Sequence, residues 1–331
     1  MSKVSGMTIE KIVADGDLDG LISAAIVQRY WPDAVVVFSH PAEIRRGDLD
    51  SIIDLKTAVL DLPFHPHCGL HIDHHLTNKP SPDTLEEAGK YGRVIVWEEA
   101  LSAARVCYNA FAEICDLSDF EAWLDMVDRL DGGKITQEEF LSNHPIVWIG
   151  RTINPNDNDY CQYLLECISE GLDPEQLKST SKVSLRIEEA MDEFHTLQSM
   201  LDGNTSIIDR LAIVRLEDTG VRTNGYLVTA HFGDKCDACM IIHGYHTENL
   251  GSEKWPLSAS FYSNSFLHPN GGLFDLTKLA TAFDIDGGGH ADACGCRIQP
   301  LTMGKKIEDR GVKGDDVEEN ISCWLDMWSH R

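Results

Sequence analysis

The chain has 331 residues, 43% of them hydrophobic and 25% charged, with 54 Asp and Glu against 28 Lys and Arg and a formal net charge of −26. That length exceeds one core of ordinary size and predicts two domains. The acidity excludes tight sequence-independent binding to long duplex DNA, which relies on Lys and Arg to neutralise phosphate.

No run approaches the ~18 apolar residues of a membrane span, and MSKVSGMTIEKIVADGD has no apolar export core, so a cytoplasmic location is the default expectation. TIEKIVADGD (residues 8–17) predicts a buried strand with a loop at its carboxyl end. LISAAIVQRYW (21–31) has helical spacing and is stopped by Pro32. AVVVF (34–38), TAVLDL (57–62) and GLHID (69–73) predict three more strands, a rhythm that argues for a parallel α/β sheet. Ligands of such sheets gather at the carboxyl ends of the strands. Here those ends carry Asp15, Asp17 and Asp19, then Asp61, then Asp73, His74 and His75.

Residues 98–202 read as helical, with amphipathic spacing in EEALSAARVCYNAFAEI and in SDFEAWLDMVDRLDGG, which closes on Gly132 and Gly133. SLRIEEAMDEFHTLQSML predicts a long connecting helix. DRLAIVRLE, CMIIHGY and LSASFYS predict strands of a smaller sheet, DLTKLATAFDI a short helix, ADACGCRI a strand and VEENISCWLDMWSH a terminal helix. The expected architecture is α/β: a parallel-sheet domain over 1–180, a connecting helix over 181–204 and a smaller α/β domain over 205–331.

In DGDLDG, Asp15, Asp17 and Asp19 stand two apart after a strand, so alternate carboxylates can face one place. Acids this close repel one another unless cations sit among them. An EF-hand loop also reads D-x-D-x-D-G, but its twelfth position, counted from Asp15, is Ile26. Calcium of that kind is excluded. Asp17, Asp19, Asp61, Asp73, His74 and His75 form a carboxylate and imidazole set without a thiolate, suited to Mn²⁺, with Co²⁺, Fe²⁺ or Mg²⁺ as substitutes. Two ions sharing a carboxylate would supply a hydroxide for attack at phosphorus, with one His as an electrostatic or general-acid group.

GGGH (287–290) predicts an anion nest, in which backbone N–H groups of Gly287, Gly288 and Gly289 converge and His290 adds a donor. Cys236, Cys239, Cys294 and Cys296 could offer four thiolates to zinc, although small buried cysteines are the simpler reading. His65 and His67 read as a solvated loop, and His231, His243 and His246 as structural or surface residues.

Taken in order, DGDLDGLIS, the aspartate of VLDLP, HIDHH and GGGHADACG resemble the DHH phosphoesterase superfamily, in its RecJ-like branch and its branch of nano-RNases and phosphoadenosine-phosphate phosphatases. The resemblance spans nearly the whole chain. It implies a DHH domain and a DHH-associated domain with the active site in the cleft between them, hydrolysing phosphate esters with manganese. It implies Asp17, Asp19, Asp61 and His75 as ligands or bridges of a two-metal centre. Asp73, His74 and His75 form the catalytic signature, His74 being a ligand or a group facing the scissile phosphate. The fourth motif of the family is an aspartate of the helical region; Asp128 is the choice, with Asp131 and Asp125 as alternatives.

Two departures stand out. Val13 occupies the place where small-substrate members carry a His, and Asp15 fills that ligand role as in the RecJ-like pattern. FYSNSF has no arginine where the family shows Ser-x-Arg-Ser, leaving Asn264 to hydrogen-bond a phosphate without adding charge.

The expected activity is manganese-dependent hydrolysis of short oligonucleotides or small nucleotides: nano-RNA, 3′-phosphoadenosine 5′-phosphate, and linear or cyclic dinucleotides. Gly287, Gly288, Gly289 and His290 would grip a terminal phosphate. The expected partner is a small nucleotide or short single strand, with no membrane, and a homodimer is compatible with the sequence. The enzymatic alternative is a pyrophosphatase or exopolyphosphatase. The non-catalytic alternative is a scaffold binding nucleic acid or a replication partner, which would be expected to have lost metal ligands that this chain keeps.

Overall fold

The computed structural model describes residues 4–245, 257–302 and 305–331; His246 lies outside them. The chain divides into two compact units, one built from residues 1–135 and 142–190, the other from 136–141 and 191–331.

The first unit alternates strand and helix: β1 (Lys11–Asp15), α1 (Leu18–Tyr30), β2 (Val35–Ser39), α2 (Pro41–Arg46), β3 (Thr57–Leu60), β4 (Leu70–Asp73), α3 (Pro82–Lys90), β5 (Val94–Trp97) and α4 (Ala103–Phe111). The five strands are all parallel, in the order β2-β1-β3-β4-β5. That order reverses between β1 and β3, the switch point at which doubly wound sheets open a crevice at their carboxyl ends. Sequence reading found four of these strands and missed β5, whose VIVW is too short to separate from the helical pattern that follows.

Helix α1 is buried along nine consecutive residues, Asp19–Val27. This explains why its apolar residues form no single stripe. A Cβ on Gly20 would lie 2.2 Å from the Asp15 carbonyl oxygen, so glycine lets the first turn of α1 close onto the end of β1. The helices α5 (Glu121–Asp131), α7 (Pro145–Thr152), α8 (Asn158–Ser169) and α9 (Pro174–Lys178) complete this unit, while the intervening α6 (Gln137–Leu141) belongs to the other.

The long helix α10 (Ser181–Asn204) is shared by the two units and leads into β6 (Thr205–Ile208) and β7 (Leu211–Arg215). Then follow α11 (Gly225–Phe232), β8 (Ala238–His243), β9 (Ser258–Ser263), α12 (Thr277–Ala280), β10 (Gly288–His290), β11 (Ala293–Arg297) and α13 (Gly314–Ser329). Their mixed sheet has the order β10-β11-β9-β8-β7-β6, with only β7 and β8 parallel.

Strand alternation gives this sheet two apolar faces. Ile213, Met240 and Phe261 pack with Trp324 and Trp328 of α13, whereas Val214, Ile241 and Cys239 pack with Leu227 and Val228 of α11 and Leu201 of α10. Sequence reading missed α11, whose GYLVTAHF is apolar on nearly all sides and carries no helical stripe.

Candidate metal centre

The carboxyl ends of β1, β3 and β4 bring the sequence-predicted acids and histidines together. Three groups have potential ligand atoms within 4.8 Å of one another: Asp61, Asp73, His74 and His75; Asp19, His74 and Asp131; and Asp15, Asp17 and Asp61. Asp61 belongs to two of them and is 2% exposed. Its backbone is left-handed, at φ 56°. A non-glycine residue held there costs about 1–3 kcal/mol and survives where its surroundings impose it. Its amide N–H donates to the Ile72 carbonyl, which ties the turn after β3 to β4.

The carboxylates are held by backbone donors. Asp17 caps α1 by accepting from Gly20 N–H at 2.9 Å. Asp19 accepts from the amides of Ala103 and Ala104 at 2.6 and 2.7 Å, fixing it against the start of α4. Asp73 is the organiser of the triplet: its Oδ1 accepts from the amides of His74 and His75 at 2.7 and 3.1 Å and lies 2.8 Å from His75 Nδ1. Its Oδ2 accepts from Asn78 Nδ2 at 2.6 Å. Asn78 was not singled out in the sequence, though it stands five residues after Asp73 in the same motif.

His74 points the other way. Its Nδ1 donates to the Ala100 carbonyl at 3.1 Å, and its Nε2 faces Asp131, Asp61 and Asp19 at 3.1, 3.7 and 3.8 Å. Despite the short approach to Asp131, Nε2 is not aligned for a hydrogen bond, and both it and Asp61 Oδ1 are buried without a hydrogen-bond partner.

Electrostatics describes a site short of positive charge. Burial, then the Asp17 charge, pushes Asp15 up to about 7. Burial raises Asp17, and raises Asp19 and Asp61 well above the ordinary carboxylate range, with neighbouring carboxylates adding to the shift. Burial works against the charged form of His74, but Asp131 and Asp19 overcome it and lift the imidazole to about 9. Asp73 is the exception. Burial opposes its charge, yet the His75 hydrogen bond and the His71 and His75 charges hold it below the ordinary value.

Crowded carboxylates with raised pKa values, together with orphaned polar atoms aimed among them, would be relieved by a cation placed between them. The donor set of carboxylates and imidazoles fits a hard to borderline divalent ion.

Other expectations are corrected. Asp128 lies in a different network: it accepts from Ser102 Oγ at 2.6 Å and from Arg105 Nε and Nη2 at 2.9 and 2.6 Å. Asp131, one helical turn further on, is the aspartate of α5 that reaches the cluster, while Asp125 pairs with Arg129 at the surface. Asn264 is fully buried and its amide is spent inside the fold, donating to the carbonyls of Gly233 and Cys236 at 2.8 and 2.9 Å. It has no donor left for a phosphate.

The glycines of GGGH do not form a concave nest. Gly288–His290 is an edge strand paired antiparallel with β11, so successive N–H groups alternate in direction, and His290 is exposed. The four cysteines cannot converge on zinc. Cys236 and Cys239 sit in the core on one face of the second sheet, whereas Cys294, with Cys296 packed beside it, sits on the other. His65, expected to be solvated, is 4% exposed and bonds Asp50 Oδ1 at 3.0 Å.

No protein-family model and no curated protein matches the chain. Solved structures do. A pGpG-specific phosphodiesterase, PggH from Vibrio cholerae, aligns over 96% of this chain and 98% of its own with a TM-score of 0.73 at 15% identity. RecJ in complex with Mn²⁺ from Thermus thermophilus aligns over 89% of this chain with a TM-score of 0.54 at 12% identity, and the aligned part is half of that protein. The chain has the RecJ-like DHH fold. At these identities the likeness speaks for the fold alone. Among the described residues no helix is long and apolar enough to cross a membrane.

Proposed function

We propose that this chain is a divalent-metal-dependent phosphodiesterase acting on short oligonucleotides or small nucleotides. One observation carries the reading. The carboxyl ends of three adjacent strands deliver Asp15, Asp17, Asp61 and Asp73 to one place, where buried Asp61 Oδ1 and His74 Nε2 have no hydrogen-bond partner. The neighbours of like fold include a pGpG phosphodiesterase and a manganese-bound RecJ, which supports the same class.

Asp15, Asp17, Asp19, Asp61, His75 and Asp131 are the proposed holders of the metal, with Asp131 taking the place first given to Asp128. Mn²⁺, two ions in number, is the proposed occupant, and it would supply Lewis acidity toward a phosphoryl oxygen. Asp73 orients rather than binds. By accepting from His75 Nδ1–H it fixes the tautomer that leaves a lone pair on Nε2. His74, whose imidazole Asp131 and Asp19 lift to about 9 before metal binds and whose Nδ1 is anchored to Ala100, would in its protonated form present Nε2–H to a phosphate oxygen or a leaving oxygen. The buried side chains around it keep bulk water out and strengthen each of these contacts.

Purified protein would be assayed with Mn²⁺ and with chelator on pGpG, a five-residue RNA, 3′-phosphoadenosine 5′-phosphate, a cyclic dinucleotide and pyrophosphate. Turnover of a nucleotide that needs Mn²⁺ and is lost in Asp61→Asn and His74→Ala is expected. Turnover of pyrophosphate alone would replace the nucleotide reading. A folded protein that binds no divalent ion would replace the enzyme with a scaffold.

A further inference from the structure

In a chain with almost twice as many acids as bases, the second unit holds a cavity of about 370 Å³ whose lining, among the described residues, contains one arginine and no carboxylate. Its walls are Arg222 and Thr223 from the loop before α11, His243 from the end of β8, and Ser258, Ser260 and Tyr262 from β9. Strand pairing gives its floor a direction. Ser260 lies opposite Gly295 of β11, which in turn lies opposite Gly288, and Tyr262 lies opposite Ala293, which faces His290. Residues paired in this way share a face of the sheet. The cavity therefore shares its face with His290, away from the Trp324 side.

The polar groups of this cavity are of mixed kind. Arg222 offers donors only. His243 is 4% exposed, and its Nδ1 is buried without a hydrogen-bond partner. Burial, with the Arg222 charge behind it, pushes that imidazole down to about 4, although a bond to the Val221 backbone works the other way; with the ring N–H donated to that backbone, Nδ1 offers a lone pair. The serine hydroxyls donate or accept. Tyr262 is half-buried and locked in place, because its ring fills the space a side chain on Gly225 would need: a Cβ there would come within 2.1 Å of it.

A phosphate accepts hydrogen bonds at every oxygen and would use Arg222 but leave the imidazole lone pair facing an acceptor. A purine has a flat face and an edge that both donates and accepts. Guanine pairs its O6 and N7 with an arginine fork and has N–H groups left to donate, whereas adenine is matched by an Asn or Gln amide, and none stands among the described residues of this lining.

We propose that this cavity is a guanine-binding subsite, with Arg222 reading the O6 and N7 edge and His243 and the β9 serines taking the donor edge. The site deepens the nucleotide reading above by naming the base that the second unit selects, and it supplies the cation that the FYSNSF strand lacks. It takes its ligand class from that reading, but its test does not use the reaction.

The full-length protein, kept in chelator so that no hydrolysis occurs, would be titrated calorimetrically with GMP, AMP and inorganic phosphate. GMP is expected to bind, with AMP and phosphate each at least tenfold weaker. Arg222→Ala should weaken GMP at least tenfold in a protein that remains folded. Ser260→Leu, which fills the cavity, should abolish binding. No GMP binding at millimolar concentration, equal binding of AMP or phosphate, or an unchanged Arg222→Ala would each overturn the assignment. A protein that binds GMP in this way but hydrolyses nothing would leave the subsite standing and remove the reaction; the reverse result would do the opposite.

Discussion

Replacing Asp15 by Asn tests whether the carboxylate cluster is strained in the absence of cations. Asp15 Oδ1 accepts from Gly16 N–H at 2.7 Å, and an Asn oxygen can keep that bond, so the substitution removes charge and little else. Burial and the Asp17 charge raise its carboxyl from 3.8 to about 7. A raised acid destabilises the fold once the unfolded chain ionises: the penalty is absent below about pH 4, grows as pH rises, and is complete above about pH 7.

At 1.36 kcal/mol per pH unit, the ionised form costs about 4 kcal/mol at pH 8 and about 1.5 kcal/mol at pH 5. Partial exposure to solvent trims both figures. With each kcal/mol worth ~2–4 °C in a unit of this size, metal-free Asp15→Asn should melt at least about 5 °C above wild type at pH 8 and roughly a third as far above it at pH 5. Differential scanning calorimetry in chelator at the two pH values is the assay. The same variant should gain less from added Mn²⁺. A variant less stable than wild type at pH 8, or equally stabilised at both pH values, would refute the strained-cluster account.

Three further outcomes follow from the same geometry. Asp131→Asn should lower turnover at least ~100-fold, whereas Asp128→Asn, which weakens the Arg105 and Ser102 bonds, should cost about 1.5–3 kcal/mol with turnover and KM unchanged. Steady-state kinetics and thermal denaturation of the two variants separate the roles. Asn264→Ala leaves the carbonyls of Gly233 and Cys236 without their donor and should cost about 1–3 kcal/mol, again with no change in KM. In metal-free protein, NMR titration should find His74 still protonated at pH 8, consistent with its rise to about 9; His74 lends stability that is full below about pH 6.5 and is lost as pH climbs through 9. An imidazole already neutral at pH 7 would remove the reason for placing it among Asp19, Asp61 and Asp131.

Much of the centre was legible because it is written at strand ends. An apolar run that stops on an acid marks where a parallel strand leaves its sheet, and Asp15, Asp61 and Asp73 stand at three such stops. Local periodicity thus placed them on one edge before any packing was known. Which aspartate of α5 joins them was not legible. Asp125, Asp128 and Asp131 are spaced by three and share a helix, and only the positions of Arg105 and His74 in space separate a structural pair from a cluster member.

Tertiary structure also decided residues whose chemistry read the same in either setting. Asn264 carries an amide suited to a phosphate or to two loop carbonyls, and burial assigns it to the carbonyls. Three glycines suit a nest or a strand, and the partner β11 makes Gly288–His290 a strand. Arg222 and His243 stand 21 positions apart in sequence with no motif between them, and meet only because the loop before α11 and the end of β8 line one cavity. Sequence alone determined the residues that local backbone geometry gathers; contacts between distant segments, whose cost and reward exist only in the packed chain, decided the rest.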